Sequence, residues 1–276
     1  MKTNVLDYED VQEMAPFLKS RFGLWFLKKF FRWMDMDKVN QIHTNHFHLR
    51  GSAFTSAMLN DPLMDVCYEV HNRELLNDLP AGSFITVSNH PIGSLDGIIL
   101  VDIFASIRPD YRLMVNEILS NVTALEDNFI SVVPKTNNKQ NSNPKNINGI
   151  RLAFSHIKGG HPMGFFPSGS MSFYDKSKKR VYDRPWTHSI IRVIRKANVP
   201  IIPVYFDCLN SKLFYRLGRI SWKIRQFWVA IEAFNKKGQT LHVHIGQPIP
   251  PETIRKYTDD TKLAQFLYNS TYNCKI

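Results

Sequence analysis

Residues 84–101 read Phe-Ile-Thr-Val-Ser-Asn-His-Pro-Ile-Gly-Ser-Leu-Asp-Gly-Ile-Ile-Leu-Val, and the change of character inside this stretch decides the fold. Its first five residues are mostly apolar and β-branched, as in a strand buried on both faces. Pro91 and Gly93 then mark a turn. From Leu95 a largely apolar run continues to Ile107, long enough for a helix and too long for a typical strand. Ser94 suits the helix N-cap, which places Asp96 in the first turn, where the helix N-terminus favours negative charge and keeps the carboxylate ionised. A strand that ends in a tight turn and feeds a helix is the repeating unit of parallel sheets.

The same alternation runs outward from this unit. Apolar segments at 84–88, 111–115, 130–133, 163–166, 201–206 and 241–245 read as strands, and 95–107, 147–158 and 186–197 read as helices. The chain is therefore expected to be α/β, with a mixed, largely parallel sheet flanked by helices and an N-terminal amphipathic helical element. We divide it into an N-terminal helical membrane-interface region, 1–60, and an α/β domain, 61–276. Residues 135–146 are polar and low in complexity, and are expected to form a surface loop.

The 276 residues carry 43% hydrophobic and 21% charged side chains, a globular rather than a disordered composition. A net charge of +11 implies an anionic partner, either nucleic acid or an anionic membrane surface. Cys67, Cys208 and Cys274 are too few and too scattered for a disulfide framework or a zinc ribbon. The N-terminus lacks the basic and apolar blocks of a signal peptide, and no window offers 18 uninterrupted apolar residues for a membrane span. A P-loop and a Gly-x-Ser-x-Gly nucleophile elbow are both absent from the sequence.

Between Phe17 and Met34, aromatic and basic residues interleave. On a helix, Phe22, Leu24, Phe26, Leu27, Phe30, Phe31, Trp33 and Met34 fall within an arc of roughly 200°, with Arg21, Lys28, Lys29 and Arg32 opposite. Lys19 and Trp25 break the pattern. Such a helix suits a membrane interface. It equally suits docking onto its own domain.

His90 stands at the end of the predicted strand, where α/β sheets place their ligands, with Asp96 held nearby. A histidine oriented by a carboxylate is a base that activates a hydroxyl. Two further segments accompany it: Gly164-Phe165-Phe166-Pro167-Ser168-Gly169-Ser170-Met171-Ser172 and Val199-Pro200-Ile201-Ile202-Pro203-Val204-Tyr205. In this order and at these separations, the three resemble the glycerolipid acyltransferase superfamily, the PlsC-like lysophosphatidic acid acyltransferases. The resemblance covers about residues 67–250, including Leu79-Pro80-Ala81-Gly82 before the first motif strand and Ile245-Gly246-Gln247-Pro248-Ile249 at the exit.

It implies that His90 is a general base partnered by Asp96, and that Asn89, Gly93, Pro167, Ser168, Gly169 and Ser170 contribute to substrate binding. Transfer would be direct, with oxyanion donors from backbone N–H groups around Gly169 or the turn at Gly93. The acyl donor would be acyl-ACP (an acyl carrier protein thioester) or acyl-CoA as co-substrate, with no other cofactor and no metal. The enzyme would be peripheral on the inner, cytoplasmic face of the membrane, with membrane lipids as partners and no nucleic acid bound. Two departures matter. Five residues separate His90 from Asp96, where four are commonest, and the usual Phe-Pro-Glu-Gly-Thr-Arg reads Phe166-Pro167-Ser168-Gly169-Ser170-Met171. Both resemble the hemolysin-like or lyso-ornithine-lipid subset. Loss of the arginine disfavours a phosphate acceptor and favours a lyso-aminolipid, such as an N-acylated amino acid bearing a free hydroxyl.

Downstream, Lys176, Lys178, Lys179, Arg180 and Arg184 form a basic run, and Arg184 is the expected contact for an acceptor anion; Pro185 suits the first turn of the helix that follows. Residues 214–228 mix Arg216, Arg219, Lys223 and Arg225 with aromatics, as a further membrane-facing surface would. His43, His46 and His48 lack ligand-spaced partners and are expected to be exposed, while His242 and His244 share one side of a strand.

Overall fold

The computed structural model describes residues 4, 5, 7–9, 12, 19–133 and 144–275. Its strands are β1 (Cys67–His71), β2 (Ile85–Ser88), β3 (Arg112–Asn116), β4 (Phe129–Val132), β5 (Met163–Phe165), β6 (Phe173–Asp175), β7 (Arg180–Tyr182), β8 (Ile201–Asp207) and β9 (Thr240–Ile245). The six strands expected from the sequence form within one residue of their expected ends. Seven strands make one sheet in the order β1-β9-β8-β2-β5-β3-β4, parallel throughout except for the β8–β9 pair. The fold is α/β with a mixed, mostly parallel sheet. β6 and β7 pair separately as an antiparallel hairpin.

The helices are α1 (Arg21–Trp33), α2 (Met36–His46), α3 (Gly51–Leu59), α4 (Ser94–Ile107), α5 (Pro144–Lys158), α6 (His188–Ala197), α7 (Lys212–Ile220), α8 (Trp222–Phe234), α9 (Pro251–Arg255) and α10 (Asp260–Tyr272). One face of the sheet packs on α4 with Ile42, Phe54, Leu59 and Phe234. The other packs on α5, α6 and α10 through Ala153, Ile191, Ile194, Leu263 and Leu267. β2 lies at the centre, buried along its whole length, as a run with no polar alternation requires. α4 is buried on nearly every side. Asp102 inside it is tolerated because the hydroxyls of Thr55, Ser56 and Tyr68 all donate to its carboxylate.

Several local expectations are corrected. The helix cap is Gly93, with Ser94 already helical, because Gly93 sits at φ 109° and ψ −102°, which a residue with a side chain resists. Residues 144–146 belong to α5, and the rest of the expected loop, 135–143, lies outside the described residues. α6 begins at His188, so Pro185 precedes it, and Trp186 is instead buried against Tyr268. His43 is buried against Phe54 and His46 binds Asp61 at 2.9 Å, since both ride on α2 rather than on an exposed stretch.

The wide apolar arc of α1 divides in two. Leu27, Phe31 and Met34 are buried, at the i, i+4, i+7 spacing of a core-facing stripe. Phe22, Trp25, Phe26 and Trp33 are exposed, Phe22 by 74%. Trp25, the residue that broke the sequence pattern, joins this second stripe. No helix among the described residues is long and apolar enough to cross a membrane.

Candidate active site

The turn after β2 is built around one carboxylate. Asp96, fully buried in the first turn of α4, accepts through Oδ2 the backbone N–H groups of Ile92 (3.0 Å) and Gly93 (2.9 Å). The same oxygen lies 2.9 Å from His90 Nδ1. An oxygen already receiving two donors calls for a third, so we assign the ring proton to Nδ1, which leaves Nε2 with a lone pair. The extra residue in the His–Asp spacing is absorbed by the Pro91–Gly93 turn, and the side chains still meet. A Cβ at Gly93 would lie 2.8 Å from Met171 Sδ and 3.0 Å from Val229 Cγ1. Only glycine lets the turn press against both.

The Phe166–Ser172 segment lies against the same histidine. Phe166 stacks on the imidazole with centroids 4.0 Å apart. Ser172 N–H donates to His90 O at 2.8 Å. Asp183, which follows β7, accepts His90 N–H (3.2 Å) and the Ser172 hydroxyl (2.6 Å) through Oδ1. Its own N–H donates to the Tyr272 hydroxyl on α10. Burial pushes the Asp183 carboxyl up to about 6, against the opposing pull of the Ser172 hydrogen bond and His90. The main chain and ring of His90 are thus held from four sides, while its side chain stays 18% exposed.

The remaining residues singled out in the sequence fall as follows. The Asn89 amide is spent on structure, donating to Phe206 O (3.0 Å) and accepting Phe206 N–H (2.7 Å), which ties the end of β2 to β8. Pro167 is buried and its carbonyl accepts Thr187 N–H. Ser168 is buried and donates to Ser170 O at 2.7 Å. The N–H groups of Gly93 and Gly169 are engaged, by Asp96 and by Phe166 O respectively. Both were left open as oxyanion donors by the sequence. In the same loop, the N–H groups of Ser170 and Met171 make no hydrogen bond among the described residues. Arg184 is exposed, with its guanidinium 4.8 Å from the Phe173 ring centroid.

No serine hydroxyl among the described residues bonds His90, so the pair is not part of a serine triad. Two surface clefts, one lined by Tyr8, Phe31 and Asp37 and one by Asn72, Pro203 and Cys274, do not include the ring. Glu69, His71 and His242 on β1 and β9 bring three ligand atoms within 4.8 Å of one another. There His71 Nε2 and His242 Nδ1 already satisfy each other at 3.0 Å. Asp183 and Tyr272 are the site residues sequence reading misses, while Ser172 reads as part of the acceptor segment and Arg225 as one cation of a membrane-facing stretch. Asp183 follows a basic run that drew the reading toward charge rather than toward a buried acid.

A family model described as acyltransferase matches residues 10–275. The chain is 27% identical over 260 residues to a lyso-glycine lipid O-acyltransferase of Phocaeicola vulgatus, covering 91% of this chain and 87% of that protein. It is 25% identical to a lyso-glycine lipid O-acyltransferase of Bacteroides thetaiotaomicron, covering 91% and 89%. The polar turn after a central strand, the loop locked onto its histidine and the match along nearly the whole chain agree, and the protein belongs to the acyltransferase family.

Proposed function

We propose that this acyltransferase moves a fatty acyl chain from an acyl carrier protein or coenzyme A thioester onto the hydroxyl of a lyso-aminolipid. The observation that carries this reading is the His90–Asp96 pair, with Nε2 left as a base and the ring partly open to solvent. In the reaction, His90 Nε2 takes the acceptor's hydroxyl proton as that oxygen attacks the thioester carbonyl carbon. The tetrahedral oxyanion would be met by preorganised N–H donors, for which Ser170 and Met171 are placed in the facing loop. The intermediate collapses with cleavage of the C–S bond, and the imidazolium returns its proton to the departing thiolate. An ester and a free thiol result.

The acceptor class follows from two supports. The relatives' names specify a lyso-glycine lipid, and Met171 stands where an arginine for phosphate would be expected. The exposed aromatic stripe of α1, with Arg21, Lys28, Lys29 and Arg32 also exposed, suits a helix resting on an anionic bilayer at the cytoplasmic face. Trp33 packs edge-on against Trp228 of α8, one residue before Val229, which adjoins the Gly93 turn. Membrane contact and chemistry would therefore adjoin.

Mass spectrometry of lipids from cells with and without the gene tests the reading. Loss of one di-acylated aminolipid with accumulation of its mono-acylated hydroxyl precursor is expected. Unchanged lipid profiles, together with no transfer by the purified enzyme, would refute it. Salt-dependent retention on DNA rather than on anionic vesicles would favour a nucleic-acid partner for the net positive charge.

A further inference from the structure

Arg225 stands beside the reactive turn, and among the described residues it has no carboxylate of its own. It lies one helical turn before Val229 on α8, and Val229 is a side chain that a Cβ at Gly93 would strike. Residues four apart share a helix face, so Arg225 projects from the face that adjoins the His90 loop. Its Nη1 donates to Ser172 O at 3.3 Å, and Ser172 in turn binds the His90 main chain. The guanidinium rests 5.4 Å from the Phe214 ring centroid. Only 8% of the residue is exposed.

The packing is shaped around it. A Cβ at Gly218, within α7, would lie 2.6 Å from Arg225 Cδ, so a residue otherwise unfavourable inside a helix makes room for the arginine stem. Among the described residues no Asp or Glu pairs with Arg225, and its buried Nε makes no hydrogen bond. Burial, and then the nearby charge of Arg184, both lower its pKa. Arg184 likewise has no carboxylate partner among the described residues. A buried cation next to a second cation is costly, and a bound anion relieves both the desolvation and the repulsion.

We infer that the Nε–Nη2 edge of Arg225, with Arg184 beside it, binds the free carboxylate of the acceptor's head group and so holds its hydroxyl at His90. This rests on the lyso-aminolipid reading above. With Nη1 spent on Ser172, the edge that remains offers two parallel N–H donors, the pattern that meets the two oxygens of a carboxylate. The same edge would also meet a phosphate bidentately, so lysophosphatidate is the competing acceptor in the test. An amino acid acylated on its amine keeps such a carboxylate.

The test uses the purified full-length enzyme, a long-chain acyl thioester and three acceptors: glycine N-acylated with a hydroxy fatty acid, its methyl ester, and lysophosphatidate. The wild type is expected to favour the free acid over the ester by about 10- to 100-fold in kcat/KM, as for loss of a charge-assisted pair. In Arg225→Gln that ratio should fall to about one, and Gly218→Ala, which displaces the arginine, should lower it too. Equal rates on acid and ester in the wild type, or an unchanged ratio in Arg225→Gln, would overturn the inference while leaving acyl transfer intact. Lysophosphatidate outrunning the free acid would overturn the carboxylate assignment. No transfer to any acceptor would refute the acyl-transfer reading itself, and this contact with it.

Discussion

The two sides of the site differ in how their polar groups are used. On the Asn89–Asp96 side the groups that hold the ring are satisfied internally: Asn89 by Phe206, Asp96 Oδ2 by three donors, the His90 main chain by Ser172 and Asp183, while Asp96 Oδ1 and Asp183 Oδ2 are buried without a partner among the described residues. On the Arg184–Arg225 side two cations influence each other, and neither has a carboxylate partner among the described residues. The first arrangement fixes one imidazole in one orientation at no cost during reaction, as preorganised sites do. The second is left with unmet electrostatic demand. On the reading proposed above, chemistry belongs to the closed side and recognition to the side whose cations lack an acid.

Removing the imidazole should break the closed side most severely. His90→Ala is expected to slow transfer by about 10³- to 10⁴-fold, the upper part of the range for a positioned general base, with the fold retained but stability lowered by about 1–3 kcal/mol, because buried Asp96 loses a donor and Phe166 its stack. Full activity in that variant, assayed with labelled thioester, would remove His90 from the chemistry. Gly93→Ala should come next. The backbone conformation at Gly93 alone costs a side chain about 1–3 kcal/mol, and the new methyl meets Met171 and Val229. Loss of both stability and activity is expected, and a fully active, equally stable Gly93→Ala enzyme would show that the turn is looser than described.

Asp183 sharpens the comparison through pH. Its folded pKa, raised to about 6 by burial, exceeds the unfolded value near 4. The folded state therefore binds the proton more tightly, and the stability this contributes is full below about pH 4 and lost as pH rises through about 6. The loss is on the order of 3 kcal/mol. Asp183→Asn keeps an oxygen for His90 N–H and Ser172 but carries no charge, so urea unfolding of this variant should show a flatter stability profile between pH 4 and 6. An unaltered profile would mean Asp183 titrates as an ordinary surface carboxylate.

Much of the sheet and of the closed side was legible because local chemistry writes both. The β2 segment is apolar without alternation, Pro91 and Gly93 mark the turn, and a carboxylate three residues past Gly93 suits the cap it makes. What escaped depends on distant partners. β1 alternates only weakly and is an edge strand paired with β9 alone. Asp183 gains its meaning from Ser172 and Tyr272, 11 and 89 residues away. Arg225 read as one cation in a basic, aromatic stretch, because nothing local says that Gly218 admits it to the interior. The α1 arc was wide enough to suit both a docked and an exposed face, but periodicity alone does not say which apolar residues the core takes and which it leaves exposed.

The position of one proton tests the site most directly. ¹⁵N-histidine NMR of the intact enzyme, with the His90 signals identified by their loss in His90→Gln, reports which ring nitrogen is protonated. Neutral His90 is expected to carry its proton on Nδ1, bonded to Asp96, with Nε2 bare, and Asp96→Asn should disturb that tautomer. A proton resident on Nε2 in the native protein would leave no base facing the acceptor and would contradict the assignment of His90 to the transfer step.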